Sequence, residues 1–198
     1  MKREGDFWIP DGDRHFVSSA RSGEYQRSLI TLSLPHVKDF GLAVDIGAHV
    51  GLLTAPLLKS FETVWAFEPE TENFACLKKN APEAIAHNVA IGREFGRTGL
   101  KNPDPKNSGA WELCDGDDAC IAPLDAFWLK PGLIKVDVQG GLLEVLKGAR
   151  ETLNHKPVLI LEVVLRGQRD EEAVDFVKAL GARVLKSVGR KDIIMGWE

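Results

Sequence analysis

Four carboxylates stand at or near the ends of short apolar runs in this chain. Asp45 falls in Leu42-Ala43-Val44-Asp45-Ile46, Glu68 follows Val64-Trp65-Ala66-Phe67, Asp137 follows Leu133-Ile134-Lys135-Val136, and Glu162 follows Val158-Leu159-Ile160-Leu161. Carboxylates so placed can accept hydrogen bonds from hydroxyl or ammonium groups of a ligand, and burial can tune them toward acid or base work. Asp45 leads into Gly47-Ala48-His49-Val50-Gly51, where Gly47 and Gly51 allow a sharp turn and a close backbone approach to a ligand. Glu68, about twenty residues further on, can take two hydrogen bonds from ribose hydroxyls. Together these features describe a pocket for an adenosine-containing cofactor.

A dinucleotide fingerprint would require glycine at the place of His49, to leave room for a pyrophosphate at a helix N-terminus. The Asp45 carboxylate also puts negative charge where a pyrophosphate needs neutral or positive surroundings. A cationic ligand suits it better, and S-adenosyl-L-methionine, with a sulfonium and an ammonium, is the expected cofactor. The plain alternative is a glycine turn that only joins a strand to a helix. On the cofactor reading, Gly47→Val abolishes cofactor binding and leaves the fold largely intact.

The cofactor contacts expected are Asp45, Gly47, Ala48, His49, Gly51, Glu68, Pro69, Asn88, Val89 and Asp137. Asp45 faces the methionine end, or else is satisfied by the N–H groups of its own turn. Glu68 holds ribose, Pro69 sets the chain's exit, and Glu70 is placed to cap the following helix. Asn88 and Val89 lie where adenine would be clamped, a turn asparagine being the equal alternative for Asn88. Asp137 and Glu162 are the candidate catalytic pair, with helix capping as the competing role for Asp137. Two carboxylates buried side by side share a proton or bind a metal, and no third ligand is identifiable. His15 and Trp111 are candidates for an acceptor pocket, whereas His36, His87 and His155 read as ordinary surface or core-edge residues.

The elements that must hold these groups follow from the apolar spacing. Strands are predicted at 42–46, 63–67, 85–90, 133–138, 158–164, 183–188 and 192–197, alternating with helices at 22–38, 50–60, 70–80, 142–153 and 170–180. A short helix is expected at 124–129. Tyr25, Leu29, Leu32 and Leu34 supply the apolar face of the first helix. Residues 92–122 break the rhythm and read as a hairpin excursion, while residues 1–20 are polar and turn-rich apart from Phe7-Trp8-Ile9-Pro10. The expected fold is α/β: a Rossmann-like, mostly parallel seven-stranded sheet with an antiparallel final strand and helices on both faces. Residues 1–40 form an arm and helix packed on the core, and 41–198 form the cofactor-binding domain.

At 198 residues the chain suits one domain with a substantial core. A formal charge of −4 argues against a nucleic-acid partner, whose phosphates reward a basic surface. Cys76, Cys114 and Cys120 form no Cys-x-x-Cys unit and read as reduced thiols, a Cys114–Cys120 bridge or a metal pair being the alternative. No apolar run approaches the about 18–20 residues of a membrane helix, and Met1 to Asp6 lacks a signal-peptide pattern, so a cytoplasmic protein is expected.

Several ordered motifs resemble one family. They are Asp45-Ile46-Gly47-Ala48-His49-Val50-Gly51, Ala66-Phe67-Glu68-Pro69, Leu124-Asp125, Ile134-Lys135-Val136-Asp137-Val138-Gln139-Gly140, Glu144-Val145-Leu146-Lys147-Gly148-Ala149 and Leu159-Ile160-Leu161-Glu162. Spread over about residues 42–165, they resemble the FkbM-type methyltransferases. The resemblance implies transfer of a methyl group from S-adenosylmethionine, often to a hydroxyl oxygen of a sugar, polyketide or other small molecule, so the implied partner is a small-molecule or glycan acceptor. The sequence departs from the family pattern at Gln139, usually Glu, and at His49, more often Asn. The loss of charge at Gln139 keeps open a catalytically inactive cofactor-binding module with a sensing or partner-binding role. A nicotinamide-dependent reductase is the third reading, opposed by His49 and Asp45.

Overall fold

The structure is a computed structural model that describes residues 1–24, 26–163, 168–189 and 191–197. Tyr25, Val164 and Arg190, which the sequence reading placed in a helix, at a strand end and in a turn, lie outside the described residues. Seven strands form the main sheet: β3 (Leu42–Ile46), β4 (Thr63–Phe67), β5 (Ile85–His87), β9 (Leu133–Val136), β10 (Val158–Glu162), β11 (Arg183–Val188) and β12 (Asp192–Gly196). Their order is β11-β12-β10-β9-β3-β4-β5, with β12 antiparallel to both neighbours and all other pairings parallel. The chain runs outward from β3 through β4 to β5, then returns to lay β9 against the other side of β3. The carboxyl ends of β3 and β9 therefore mark the switch point at which open α/β sheets bind ligands.

Alternating side chains of these strands feed two cores. Val44, Ile46, Ile134 and Val136 join the cluster beneath α5 (Leu142–Lys147) and α7 (Gln168–Ala179). Ala43, Leu133, Val158 and Ile160 join Leu29, Ile30 and Leu57 on the opposite face. Burial on both faces explains why these strands read as near-continuous apolar runs. The fold expected from the sequence, with its reversed final strand, is the fold observed.

Several boundaries differ, each for a local reason. Residues 1–20, expected to be irregular, begin with a hairpin, β1 (Lys2–Glu4) and β2 (Phe7–Ile9), turned at Gly5 with φ +59°. The helix expected at 22–38 is α1 (Val17–Ser22) and α2 (Arg27–Ser33), separated by left-handed Gly23 and Gln26. The helix expected at 50–60 shrinks to α3 (Thr54–Leu57), because its last turn tightens to bonds from Lys59 N to Pro56 O and Ser60 N to Leu57 O. The strand expected at 85–90 breaks after β5, and β6 (Ala90–Ile91) pairs instead with β8 (Glu112–Ala122). β8 also pairs antiparallel with β7 (Gly96–Lys101), so the excursion is a hairpin, as expected. The helix expected at 142–153 is divided into α5 and α6 (Arg150–Leu153) at Gly148. A Cβ there would meet Gly92 O at 1.9 Å, so the backbone must pass bare at that point. Cys76, Cys114 and Cys120 are free thiols. No helix among the described residues is long and apolar enough to cross a membrane.

Candidate active site

A cavity of about 710 Å³ opens at the carboxyl edge of the sheet, at the switch point. Gly47, Ala48, His49, Glu68, Pro69, Val89, Asp137 and Glu162, all named from the sequence, line it. His15 and Trp111 line it as well, the first from the N-terminal arm and the second from the excursion. The loops that broke the α/β rhythm thus build the outer wall.

Glu68 ends β4 and is 5% exposed. Its carboxylate accepts hydrogen bonds from His49 N at 2.8 Å and Glu70 N at 2.9 Å, which fix it across the glycine turn. Burial pushes its pKa up to about 7, against those two N–H groups, so this carboxylate gains from any further donor that enters. Glu70 caps α4 (Thr71–Asn80) through Glu72 N and Asn73 N.

Asp45, Gly51 and Asn88, also named from the sequence, do not line the cavity. Asp45 is fully buried, 3.0 Å from Lys135 Nζ, and accepts the Thr54 hydroxyl at 2.6 Å. Its charge is spent on Lys135 and is not presented to a ligand. A Cβ at Gly51 would strike Leu77, so that glycine serves packing against α4. The Asn88 side chain donates to Glu68 O and Pro69 O at 2.9 and 2.8 Å, the turn role that was the equal alternative. Gly47, with φ +72°, does lie in the cavity wall, but a Cβ there would meet Asp137 O at 1.9 Å. The substitution Gly47→Val therefore breaks the junction of β3 and β9 itself, correcting the expectation of an intact fold.

Lys135, the one charged residue in the run Leu133–Val136, has no role in the sequence reading. It is 4% exposed, and its Nζ donates to Gly47 O at 2.7 Å and lies 3.8 Å from Asp137 Oδ2. Burial would lower its pKa, yet Asp45 and Asp137 outweigh that and raise it, so the ammonium stays charged. Burial likewise pushes Asp137 up, but Lys135, a hydrogen bond with Glu162, and His49 bring it below the usual carboxylate range. Glu162 is pushed up to about 8 by burial and by sharing that hydrogen bond with Asp137. The two shifts run in opposite directions, favouring an ionised Asp137 beside a protonated Glu162; among the described residues there is no group of three or more His, Cys, Asp or Glu side chains that could hold a metal ion.

His49 takes the left-handed backbone (φ +53°) at the position where a dinucleotide site carries glycine. Its Nε2 lies 2.6 Å from Ser108 Oγ, and the Ser108 hydroxyl donates to Asp13. Ser108 Oγ must then accept from Nε2–H, which fixes the neutral tautomer. Burial lowers the His49 pKa to about 4. Ser108 N also donates to Asp13 at 2.8 Å, and Asn73 Nδ2 donates to Ser108 O at 2.9 Å. The arm, the excursion and the glycine turn are thus fastened together by residues 95 and 59 positions apart, a separation no local sequence pattern reveals.

Residues 45–184 match the model of the methyltransferase FkbM domain, and the chain belongs to this family of S-adenosylmethionine-dependent methyltransferases. It is 25% identical over 149 residues to the hexuronic acid methyltransferase AglP of Haloferax volcanii, covering 70% of this chain and 62% of that one. The chain thus spans about three-fifths of that curated relative. Among solved structures it resembles methyltransferase FkbM from Methylobacillus flagellatus, with TM-score 0.56, 21% identity, and coverage of 98% of this chain and 49% of that one. It also resembles the magnesium protoporphyrin IX methyltransferase ChlM from Synechocystis with bound SAM, with TM-score 0.53, 14% identity, and coverage of 96% and 87%. These structural likenesses establish the Rossmann-like fold.

Proposed function

We propose that the chain transfers a methyl group from S-adenosylmethionine to a hydroxyl of a sugar or other small-molecule acceptor. The observation that carries this reading is a cavity at the switch point that gathers Glu68, Asp137 and Glu162 around a glycine turn. The residues fit the cofactor. Glu68, held by two N–H groups, keeps lone pairs for ribose hydroxyls, and Pro69 and Val89 offer apolar wall for adenine. Asp137, lowered by Lys135, is the carboxylate suited to the ammonium group, the task the sequence reading gave to Asp45. When bound, S-adenosylmethionine supplies an electrophilic methyl group.

The chain's own residues then have three tasks. Glu68 and Asp137 fix the donor's two ends. His15 and Trp111 shape the outer wall where the acceptor docks. Glu162, on the same wall, is placed to hydrogen-bond the acceptor hydroxyl and, in its ionised form, to take up the proton that the hydroxyl loses as the methyl group is transferred. Positioning can lower a barrier by roughly 7–11 kcal/mol, against the ~10²–10⁴-fold typical of one general base, so a single carboxylate base suffices. The name of the Haloferax relative lends support to a sugar acceptor, and Arg93 and Lys191 on the cavity wall suit an acidic one.

Incubating the protein with S-adenosylmethionine and a panel of neutral and acidic sugars tests the reading, with methylated product identified by mass spectrometry. Gln139 lines the same cavity, and the alternative it raised, a cofactor-sensing module, takes over if the cofactor binds and no acceptor turns over.

A further inference from the structure

A second cavity, of about 610 Å³, lies at the opposite, amino-terminal edge of the sheet. His36, Lys38, Lys130, His155, Lys156 and Arg183 line it, contributed by the segments that enter β3, β9, β10 and β11. Asp39 is the one acidic residue among the described lining, and its Oδ1 is already engaged by Gly41 N at 2.8 Å. The groove's three lysines and its aspartate sum to +2 in a chain whose formal charge is −4. Positive charge is therefore concentrated here against the sign of the whole molecule.

Lys38, Lys130 and Lys156 are exposed, and among the described residues no ion pair holds them. Lys156 sits in the left-handed region at φ +58°, a conformation that glycine would adopt more cheaply. Pro131, Val158, Leu185 and Trp197 add apolar lining to the same cavity.

We infer that this groove is a second ligand site, for a soluble anion bearing two or more phosphate groups. Lone surface charges are screened by salt over about 8 Å at physiological ionic strength, but a multivalent anion seated in the groove can meet several cations at once. Phosphate oxygens form charge-assisted hydrogen bonds with lysine ammonium groups. The inference does not depend on the cofactor site, which lies at the other edge of the sheet.

Inorganic tripolyphosphate, titrated calorimetrically into the full chain at physiological salt, is the probe. One saturable site is expected. Lys130→Gln combined with Lys156→Gln weakens it by about tenfold or more, in keeping with the loss of two charge-assisted contacts. Lys101→Gln combined with Lys106→Gln, on the excursion, leaves it unchanged, and thermal melting confirms that both double variants fold. Absence of saturable binding, or equal loss in both variants, overturns the site and leaves these cations as complements to nearby helix C-termini. Sedimentation with phosphatidylglycerol vesicles in the absence of tripolyphosphate binding overturns the soluble ligand in favour of a lipid headgroup.

Discussion

A lysine at the centre of a parallel sheet costs several kcal/mol of desolvation unless its charge is met there. Lys135 is met by Asp45, Gly47 O and Asp137, so it welds the ends of β3 and β9 and sets the charge of the site. Lys135→Met leaves Asp45 buried without a counterion and should destabilise the protein by about 3–5 kcal/mol, read from denaturant midpoints. Adding Asp45→Asn should restore a large part of that loss; no restoration would mean that the pair does not share its charge. The same residue scale holds the pH dependence of binding. The Glu68 pKa is raised from 4.5 to about 7, so its stability contribution falls as pH rises through that window, as a buried carboxyl is forced to ionise. Ligand binding runs the other way, since ribose hydroxyls favour the ionised form. Affinity for S-adenosylhomocysteine should therefore rise with pH up to about 7 and level off above it, by at most about tenfold per unit. In Glu68→Gln the slope should vanish, and a slope that persists assigns it to another group.

At the scale of elements, the strands that carry the site were legible because they are buried on both faces. Val44 to Ile46, Val64 to Phe67 and Val158 to Leu161 can hardly be anything else. What escaped was any device whose partners are distant in the chain. Lys135 looks like a flaw until Asp45 is beside it, and Asp13 looks like a turn residue until Ser108 is bonded to it. The glycines read for a close approach to ligand have a second constraint: a Cβ at Gly47 would meet Asp137 O at 1.9 Å, and one at Gly51 would meet Leu77 at 2.9 Å. Gly47→Ala should consequently lower the unfolding free energy measurably, not merely weaken cofactor affinity, and an unchanged denaturation midpoint would contradict this. The Leu124-Asp125 motif also gains a physical reason. The Asp125 carboxylate accepts Glu151 N, Thr152 N and Thr152 Oγ1 at 3.0, 2.8 and 2.7 Å, capping α6 from another segment. Asp125→Ala should cost about 1–2 kcal/mol of stability by thermal or chemical unfolding, the upper range for a lost cap, with cofactor affinity preserved.

On the scale of the whole molecule, the two edges of one sheet are differently charged. The carboxyl edge collects Glu68, Asp137 and Glu162, and the amino edge collects lysines. The first follows from strand-terminal carboxylates visible in the sequence. The second is scattered across segments that only the strand order brings together, and a net charge of −4 conceals it. The excursion and the N-terminal arm, the least patterned stretches, supply His15 and Trp111 to the cavity wall, so under the proposed function acceptor choice falls to the least regular part of the sequence. Binding of the donor product by the carboxyl-edge cavity is the claim on which the functional account stands. Calorimetric titration with S-adenosylhomocysteine, beside NAD, tests it most directly. The account predicts one site for the former that is lost in Glu68→Ala, and none for the latter; silence toward S-adenosylhomocysteine, or binding that survives Glu68→Ala, would contradict it.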